Sequence, residues 1–271
     1  MLLENRTILV TGGATGIGFA CAKRAVSEGA KVTLMGRRLE KLQAAQSELG
    51  KNCYIFAGDV TKSADVDAAV AYAAEKMGSL DGAVNSAGST GGAPIFQQEN
   101  ENFDQIVKSI LYGSMYCMRA QTKYMIDHGI KGSIVNISSL NGKIPVKGAG
   151  PYNAAKAGLD HLAKTAALEV GPYGIRVNNV SPGFTKTDMT EIINASPRAL
   201  EMINQHTPLR RWADPVDIAN ATLFLLSDLA AYVTGVRLLA DGGMQHTAYP
   251  DFGAVMTEDL MAMYAQQGTQ S

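Results

Sequence analysis

The stretch Thr7 to Ala25, TILVTGGATGIGFACAKRA, decides how the rest of the chain is read. A short apolar, β-branched run enters a turn carrying Gly12, Gly16 and Gly18, and an alanine-rich helical run follows. With no Cβ in the way, the backbone amides of such a turn can approach a pyrophosphate at the positive N-terminus of the helix. Gly18 would also let that helix lie close on the strand. A tight turn alone leaves three glycines at G-x-x-x-G-x-G spacing unexplained. The strand–turn–helix context makes the loop a candidate nucleotide cradle.

The same alternation continues along the chain. Strand-like runs are TILVTG, KVTLMG, CYIFAGDV, DGAVNSAG, GSIVNISS, IRVNNVSPG and GVRLLADGG. Helical runs lie between them at Phe19 to Glu28, Leu39 to Leu49, Ala64 to Met77, Phe103 to Asp127, Tyr152 to Val170 and Pro215 to Leu226. Strands alternating with helices of this length predict an α/β fold, a doubly wound seven-stranded parallel sheet with helices on both faces in three αβα layers. No low-complexity linker divides the chain. We therefore expect a single catalytic domain over residues 1–243, with an irregular insert at 184–208 and a tail at 244–271.

Bulk properties narrow the function. A net charge of −1 gives no electrostatic case for nucleic acid or an anionic membrane as partner. No run of apolar residues is long enough to span a bilayer, and the N-terminus lacks a basic segment followed by a long apolar one, so no signal peptide is expected. Cys21, Cys53 and Cys117 are scattered and odd in number, which argues against disulfides or a metal site and suits a reducing cytoplasm.

Candidate ligand residues sit where strands end, because ligands of open α/β sheets bind outside the strand carboxyl ends. Asp59, with Val60 beside it, closes the third strand; it is either an acceptor for an adenine amino group or a helix N-cap. Asn85, Ala87 and Gly88 close the fourth. After the fifth come Ser138 and Ser139, then Tyr152 and Lys156, spaced i, i+4 so that both leave one helix face. An ammonium near a phenol favours the phenolate, lowering a pKa of about 10 so that Tyr152 could exchange a proton with a substrate oxygen.

Together these residues resemble the short-chain dehydrogenase/reductase family. The resemblance rests on T-G-x-x-x-G-I-G at Thr11 to Gly18, N-x-A-G at Asn85 to Gly88, Ser139 thirteen residues before Tyr152, Y-x-x-x-K at Tyr152 to Lys156, SPG at Ser181 to Gly183 and DGG at Asp241 to Gly243. It covers roughly residues 5 to 244 and implies a Rossmann-type sheet and a nicotinamide cofactor. It further implies that Ser139 hydrogen-bonds the substrate oxygen and that Tyr152 is the general acid or base. Lys156 would tune Tyr152 and hold the nicotinamide ribose. Gly12, Thr15, Gly16, Ile17 and Gly18 would cradle the pyrophosphate, and Pro182, Gly183, Thr185 and Thr187 would orient the carboxamide. The insert would be the lid over substrate, and the long helices at 103–127 and 152–170 would form a homodimer or homotetramer interface.

One position departs from the family. With Gly113 aligned to the glycine of its fourth helix, Ile110 stands where an asparagine usually supports a water in the proton relay. Isoleucine lacks those side-chain hydrogen bonds; Ser109, Tyr112, Ser114 or the backbone at Ile110 could compensate. Members acting on steroid nuclei are similar in lacking this asparagine.

At the end of the second strand, where a carboxylate accepts from the ribose of NAD, stands Gly36, followed by Arg37 and Arg38. A guanidinium there can pair with a 2′-phosphate and stack on adenine, which favours NADP over NAD, with solvated arginines at a helix start as the other reading. The lid offers Ile192, Ile193, Leu200, Met202 and Ile203, which either line an apolar pocket or pack on the core as two short amphipathic helices. Gly91 to Ile95 and Leu140 to Val146 would form the pocket's other walls, so a medium to large apolar ketone or secondary alcohol is expected. Val255, Leu260, Met261 and Met263 form a possible helical stripe in the tail. The rival readings are a redox sensor without turnover, supported by Ile110 alone, and a sugar-nucleotide epimerase, whose glycine spacing differs.

Overall fold

Seven strands form one parallel sheet: β1 Thr7–Thr11, β2 Lys31–Gly36, β3 Cys53–Ala57, β4 Gly82–Asn85, β5 Ser133–Ile137, β6 Arg176–Pro182 and β7 Arg237–Ala240. Their order is β3-β2-β1-β4-β5-β6-β7, so the winding reverses between β1 and β4. This computed structural model describes residues 1–247. The apolar stripe expected at Val255 to Met263 lies outside the described residues.

The helices are α1 Gly16–Ser27, α2 Leu39–Leu49, α3 Ser63–Met77, α4 Asn100–Val107, α5 Gly113–Asp127, α6 Gly150–Val170, α7 Glu191–Asn194, α8 Pro197–His206 and α9 Pro215–Leu226. Each strand side chain alternates faces, and the consequence is visible in β1. Ile8 and Val10 join the core with α1, α2 and α9, whereas Leu9 joins the opposite core with α3, α5 and α6. Both faces are covered, so β1 is buried along its whole length. Each fully buried leucine or isoleucine contributes about 1.5–3 kcal/mol relative to exposure, and the two cores together hold the sheet between its helical layers. A third, smaller cluster of Leu140, Ile203, Trp212 and Met244 ties α8 to the end of β7.

One element differs from expectation. The run from Phe103 to Asp127 is not a continuous α-helix: a π-type turn at Lys108–Tyr112 separates α4 from α5. Such single-turn bulges are frequent at functional sites. This one places Ile110, 1 % exposed, against the β4 loop, where a Cβ added to Gly88 would meet its side chain at 3.2 Å.

Candidate active site

The carboxyl ends of β1 to β6 open into one cavity of about 910 Å³. Its floor is the turn between β1 and α1. Gly12 takes φ +65°, and a Cβ there would stand 2.9 Å from the Ala87 backbone. Gly18 packs so closely under Gly12 that a side chain would overlap the Gly12 carbonyl. Thr15, the N-cap of α1, makes no side-chain cap bond, so the first amides of the helix retain donor capacity toward the cavity. Gly12, Thr15, Gly16 and Ile17 all border it, whereas Gly18 acts behind them. An anion is the chemistry such a terminus accommodates.

At the far end of the cavity stand Ser139, Tyr152 and Lys156. Ser139 follows β5; its Oγ accepts from the Asn141 amide at 3.1 Å, which fixes the hydroxyl's direction. Tyr152 lies in the first turn of α6 after Pro151, and Lys156 lies one turn on. The Lys156 Nζ is 5.6 Å from the Tyr152 ring centre and donates to the Ile137 carbonyl at 2.7 Å. Burial pushes the Tyr152 phenol above its usual range, opposed in part by a hydrogen bond with Ser139. Burial pushes Lys156 down to about 8, opposed by the negative charge of Asp160. The expected lowering of the phenol by the lysine is not what the site shows: burial of the phenol dominates, and the opposing contribution comes from Ser139. The neighbouring Ser138 also borders the cavity, but its hydroxyl is buried with no hydrogen-bond partner among the described residues. The hydroxyl engaged with Tyr152 is that of Ser139.

Between these two ends lie the other residues singled out from the sequence. Ala87, Gly88, Pro182, Gly183, Thr185 and Thr187 form the walls. The Thr187 side chain comes within van der Waals reach of the glycine loop, since a Cβ on Gly16 would meet its Cγ2 at 3.3 Å. Thr190 was not anticipated: its hydroxyl donates to the Thr185 carbonyl at 2.7 Å and accepts from the Thr187 amide at 3.0 Å, holding both wall residues in register. Only its place three residues after Thr187, the spacing of a capping box, could have signalled it.

Asp59 and Val60 border the cavity beyond β3. The Asp59 carboxylate accepts from the amide and hydroxyl of Thr61, both at 2.9 Å, so it closes a turn ahead of α3 while keeping acceptor capacity. The helix N-cap itself is Lys62. Asn85 is placed differently from expectation. It is 3 % exposed, exchanges two hydrogen bonds with Gln121 at 2.8 and 3.1 Å and donates to Asn136 at 2.9 Å, so its side chain stands behind the cavity wall. Arg37 and Arg38 are exposed on the cavity rim, and neither pairs with a carboxylate among the described residues.

The lid region is corrected in detail. Ile203, Leu200, Met202 and Ile193 all pack in or against the small cluster with Leu140 and Trp212, and of these four Ile193 also borders the cavity. The side chain of Ile192 lies outside the described set. Gly91 to Ile95 turn outward, with Ile95 81 % exposed, and only Asn141 and Val146 of the 140–146 segment line the opening. The physical reason is that an amphipathic lid helix buries its apolar face on its own supporting loop. On the other side α4 presents Glu101, Asp104 and Gln105, and the π-type turn Lys108, a more polar rim than the sequence suggested. Near Ile110, Ser109 reaches the cavity and shares a 2.7 Å hydrogen bond with Ser89, whereas Tyr112 is exposed and Ser114 buried away from it.

Comparison with known proteins agrees with this geometry. Residues 12–245 match the family model described as Enoyl-(Acyl carrier protein) reductase. The chain is 36 % identical over 247 residues to the A-factor type gamma-butyrolactone 1′-reductase (1S-forming) of Streptomyces virginiae, covering 89 % of this chain and 96 % of that one. It is 37 % identical over 243 residues to the 2,5-dichloro-2,5-cyclohexadiene-1,4-diol dehydrogenase of Sphingobium indicum, covering 89 % and 97 %. A solved short-chain type dehydrogenase/reductase from Mycobacterium ulcerans superposes with a TM-score of 0.90 at 35 % identity, covering 94 % of this chain and 95 % of that one. The chain belongs to the short-chain dehydrogenase/reductase family, whose members are oxidoreductases that bind an NAD(P) nucleotide.

Proposed function

We propose that the protein is an NADP(H)-dependent oxidoreductase interconverting a ketone and a secondary alcohol on a medium to large apolar substrate, a cyclic ketone or hydroxysteroid-like ring system. The observation that carries this reading is a single cavity with Ser139, Tyr152 and Lys156 at one end and Arg37 at the other. The glycine cradle, where a Cβ at Gly12 would press on the Ala87 backbone, fits the pyrophosphate of a dinucleotide. Gly12, Gly16 and the first amides of α1 would hold it, Asp59 would meet the adenine, and Thr185 and Thr187 would face the carboxamide.

When bound, the nicotinamide supplies or accepts the hydride. The protein's own groups handle the oxygen. Ser139 donates a hydrogen bond to the substrate oxygen and stabilises the charge developing there. Tyr152 gives its proton to that oxygen in reduction and takes it back in oxidation, and burial keeps the phenol protonated before the transfer. Lys156, which donates to the Ile137 carbonyl at the end of β5, would hold the ribose hydroxyls of the cofactor. Ser109 and Ser89 provide hydroxyls beside Ile110, where the family's usual asparagine is absent.

The ring-system reading is supported by Ile110, Val146, Phe184, Met189 and Ile193 around the opening. It is also supported by relatives named for a butyrolactone and a cyclohexadiene-diol. NADP is favoured over NAD by Gly36, which cannot accept from a ribose hydroxyl, and by the unpaired guanidinium beside it. A homotetramer or homodimer through α4, α5 and α6 is part of the proposal, supported by the exposed Phe103 and Tyr112. A cytoplasmic location is supported by three free cysteines. The test is a panel of cyclic ketones and secondary alcohols assayed with NADPH and NADH. Steady NADPH consumption with a ring ketone is expected; no turnover with any carbonyl would remove the reading.

A further inference from the structure

Arg237, the first residue of β7, sends its guanidinium into the region beneath the catalytic serine. It donates to the Ser139 carbonyl at 2.8 Å and the Leu140 carbonyl at 3.3 Å. Its Nε donates to the Ser181 hydroxyl at 2.9 Å and lies 2.8 Å from the Asp160 carboxylate. Both ionic side chains are largely buried, at 15 % and 9 % exposure. Asp160 is on α6 one turn beyond Lys156, and its other oxygen accepts from Asn179 at 2.8 Å. Asn179 in turn accepts from Asn136 at 2.9 Å, and Asn136 accepts from Asn85. One polar chain therefore crosses behind the sheet ends from β4 to β7 and terminates on the backbone of Ser139.

We infer that Arg237, held by Asp160, is a positioning residue: its forked donors lock the Ser139–Leu140 backbone and so aim the serine hydroxyl at the substrate oxygen. The chemistry requires a guanidinium. Its planar fork donates to a hydroxyl and two carbonyls at once, whereas an ammonium has one nitrogen to place. Its charge lies beside the Asp160 carboxylate, whose near oxygen has no hydrogen-bond donor among the described residues. The pair also has a reason to be buried, since a solvated arginine could not hold a carbonyl in a fixed position. Ser139 must sit within hydrogen-bond reach of a reacting oxygen, and a displacement of about 1 Å can cost a hundredfold in rate. Asp160 has a second neighbour, Lys156, whose charge it supports from the same helix face. The inference rests on the reading of Ser139 as the group that touches substrate oxygen.

The test compares Arg237→Lys with the double variant Asp160→Asn/Arg237→Met, which removes both charges of the ion pair; Arg237→Lys keeps the Asp160 charge beside Lys156, and the double variant does not. Three quantities are read: kcat and KM with a ring ketone, NADPH affinity by fluorescence, and backbone hydrogen exchange at Asn141, whose amide donates to the Ser139 hydroxyl. Expected for both variants are a kcat lower by about ten- to a hundredfold, little change in KM or NADPH affinity, and faster exchange at Asn141 with α6 unchanged. Arg237→Lys is expected to melt near the wild type while still losing kcat. Wild-type kcat and wild-type exchange at Asn141 in either folded variant would overturn the inference. If the wild type itself reduces no ketone, the functional reading fails, and the Asn141 exchange still decides whether Arg237 positions Ser139.

Discussion

At the scale of single residues, the site is built from groups whose burial changes their chemistry. Lys156 has its folded pKa lowered to about 8 from an ordinary 10.5. The charged form is disfavoured by folding, so the penalty is fully present below about pH 8 and fades as pH rises toward the unfolded value. Between these limits the unfolded chain binds more protons, and stability gains from this group with rising pH. Thermal melts of wild type and Lys156→Met from pH 7 to 10 should therefore converge upward for the wild type, the cysteine contributions cancelling between them. A constant offset would contradict the burial effect. Arg37 makes a second residue-scale prediction. Arg37→Asp should weaken NADPH by at least tenfold, about 1.4 kcal/mol, while sparing NADH. Equal losses for both cofactors would remove the assignment to a 2′-phosphate.

Tyr152 and Lys156 were legible as neighbours from their i, i+4 spacing and Ser139 as a strand-end residue, but that spacing also fits an ordinary surface pair, and their proposed roles come from the family resemblance. Asn85 was legible as a motif residue, but not as a buried amide facing Gln121, because residue type does not reveal which way a strand-end side chain turns. Arg237 and Asp160 carried no spacing signal at all. An arginine inside a strand run and an acid four residues after Lys156 are each ordinary until the fold brings them together.

At the scale of elements, the β1–α1 turn is the part whose conformation the sequence dictates most strongly. Gly12→Ala adds a methyl at φ +65° against the Ala87 backbone, a strained position with no flexible neighbour to yield. The variant should lose the thermal shift that NADPH gives the wild type, and a retained shift would show that the loop is not the cradle. The Phe103–Asp127 segment shows the limit of periodicity. Apolar spacing read it as one helix, and the π-type turn at Lys108–Tyr112 changes the phase without breaking the run. The lid was legible as amphipathic, yet the pattern says only that a face is buried, not against what. Here Ile203 goes to Trp212 and Leu140, and Ile193 packs against that cluster while also bordering the cavity.

At the scale of the whole molecule, seven strands in the order that reverses between β1 and β4 gather residues from the entire chain at one edge. That topology was readable because strands and helices alternate with little interruption and right-handed crossovers leave few arrangements. The same packing hides Cys21, Cys53 and Cys117, whose thiols burial pushes up to about 12. Native protein at pH 8 should be nearly inert to a thiol-disulfide reagent, and denatured protein should titrate three thiols. Fast labelling of the native form would show that one of these faces is open.

The central claim is that Tyr152 exchanges the proton with a substrate oxygen held by Ser139. Its most direct test is Tyr152→Phe, assayed for NADPH consumption on the ring ketone that the wild type reduces best, with NADPH affinity measured in parallel. The account predicts a fall in kcat of about 10²–10⁴-fold with cofactor affinity retained. Turnover equal to the wild type would contradict it.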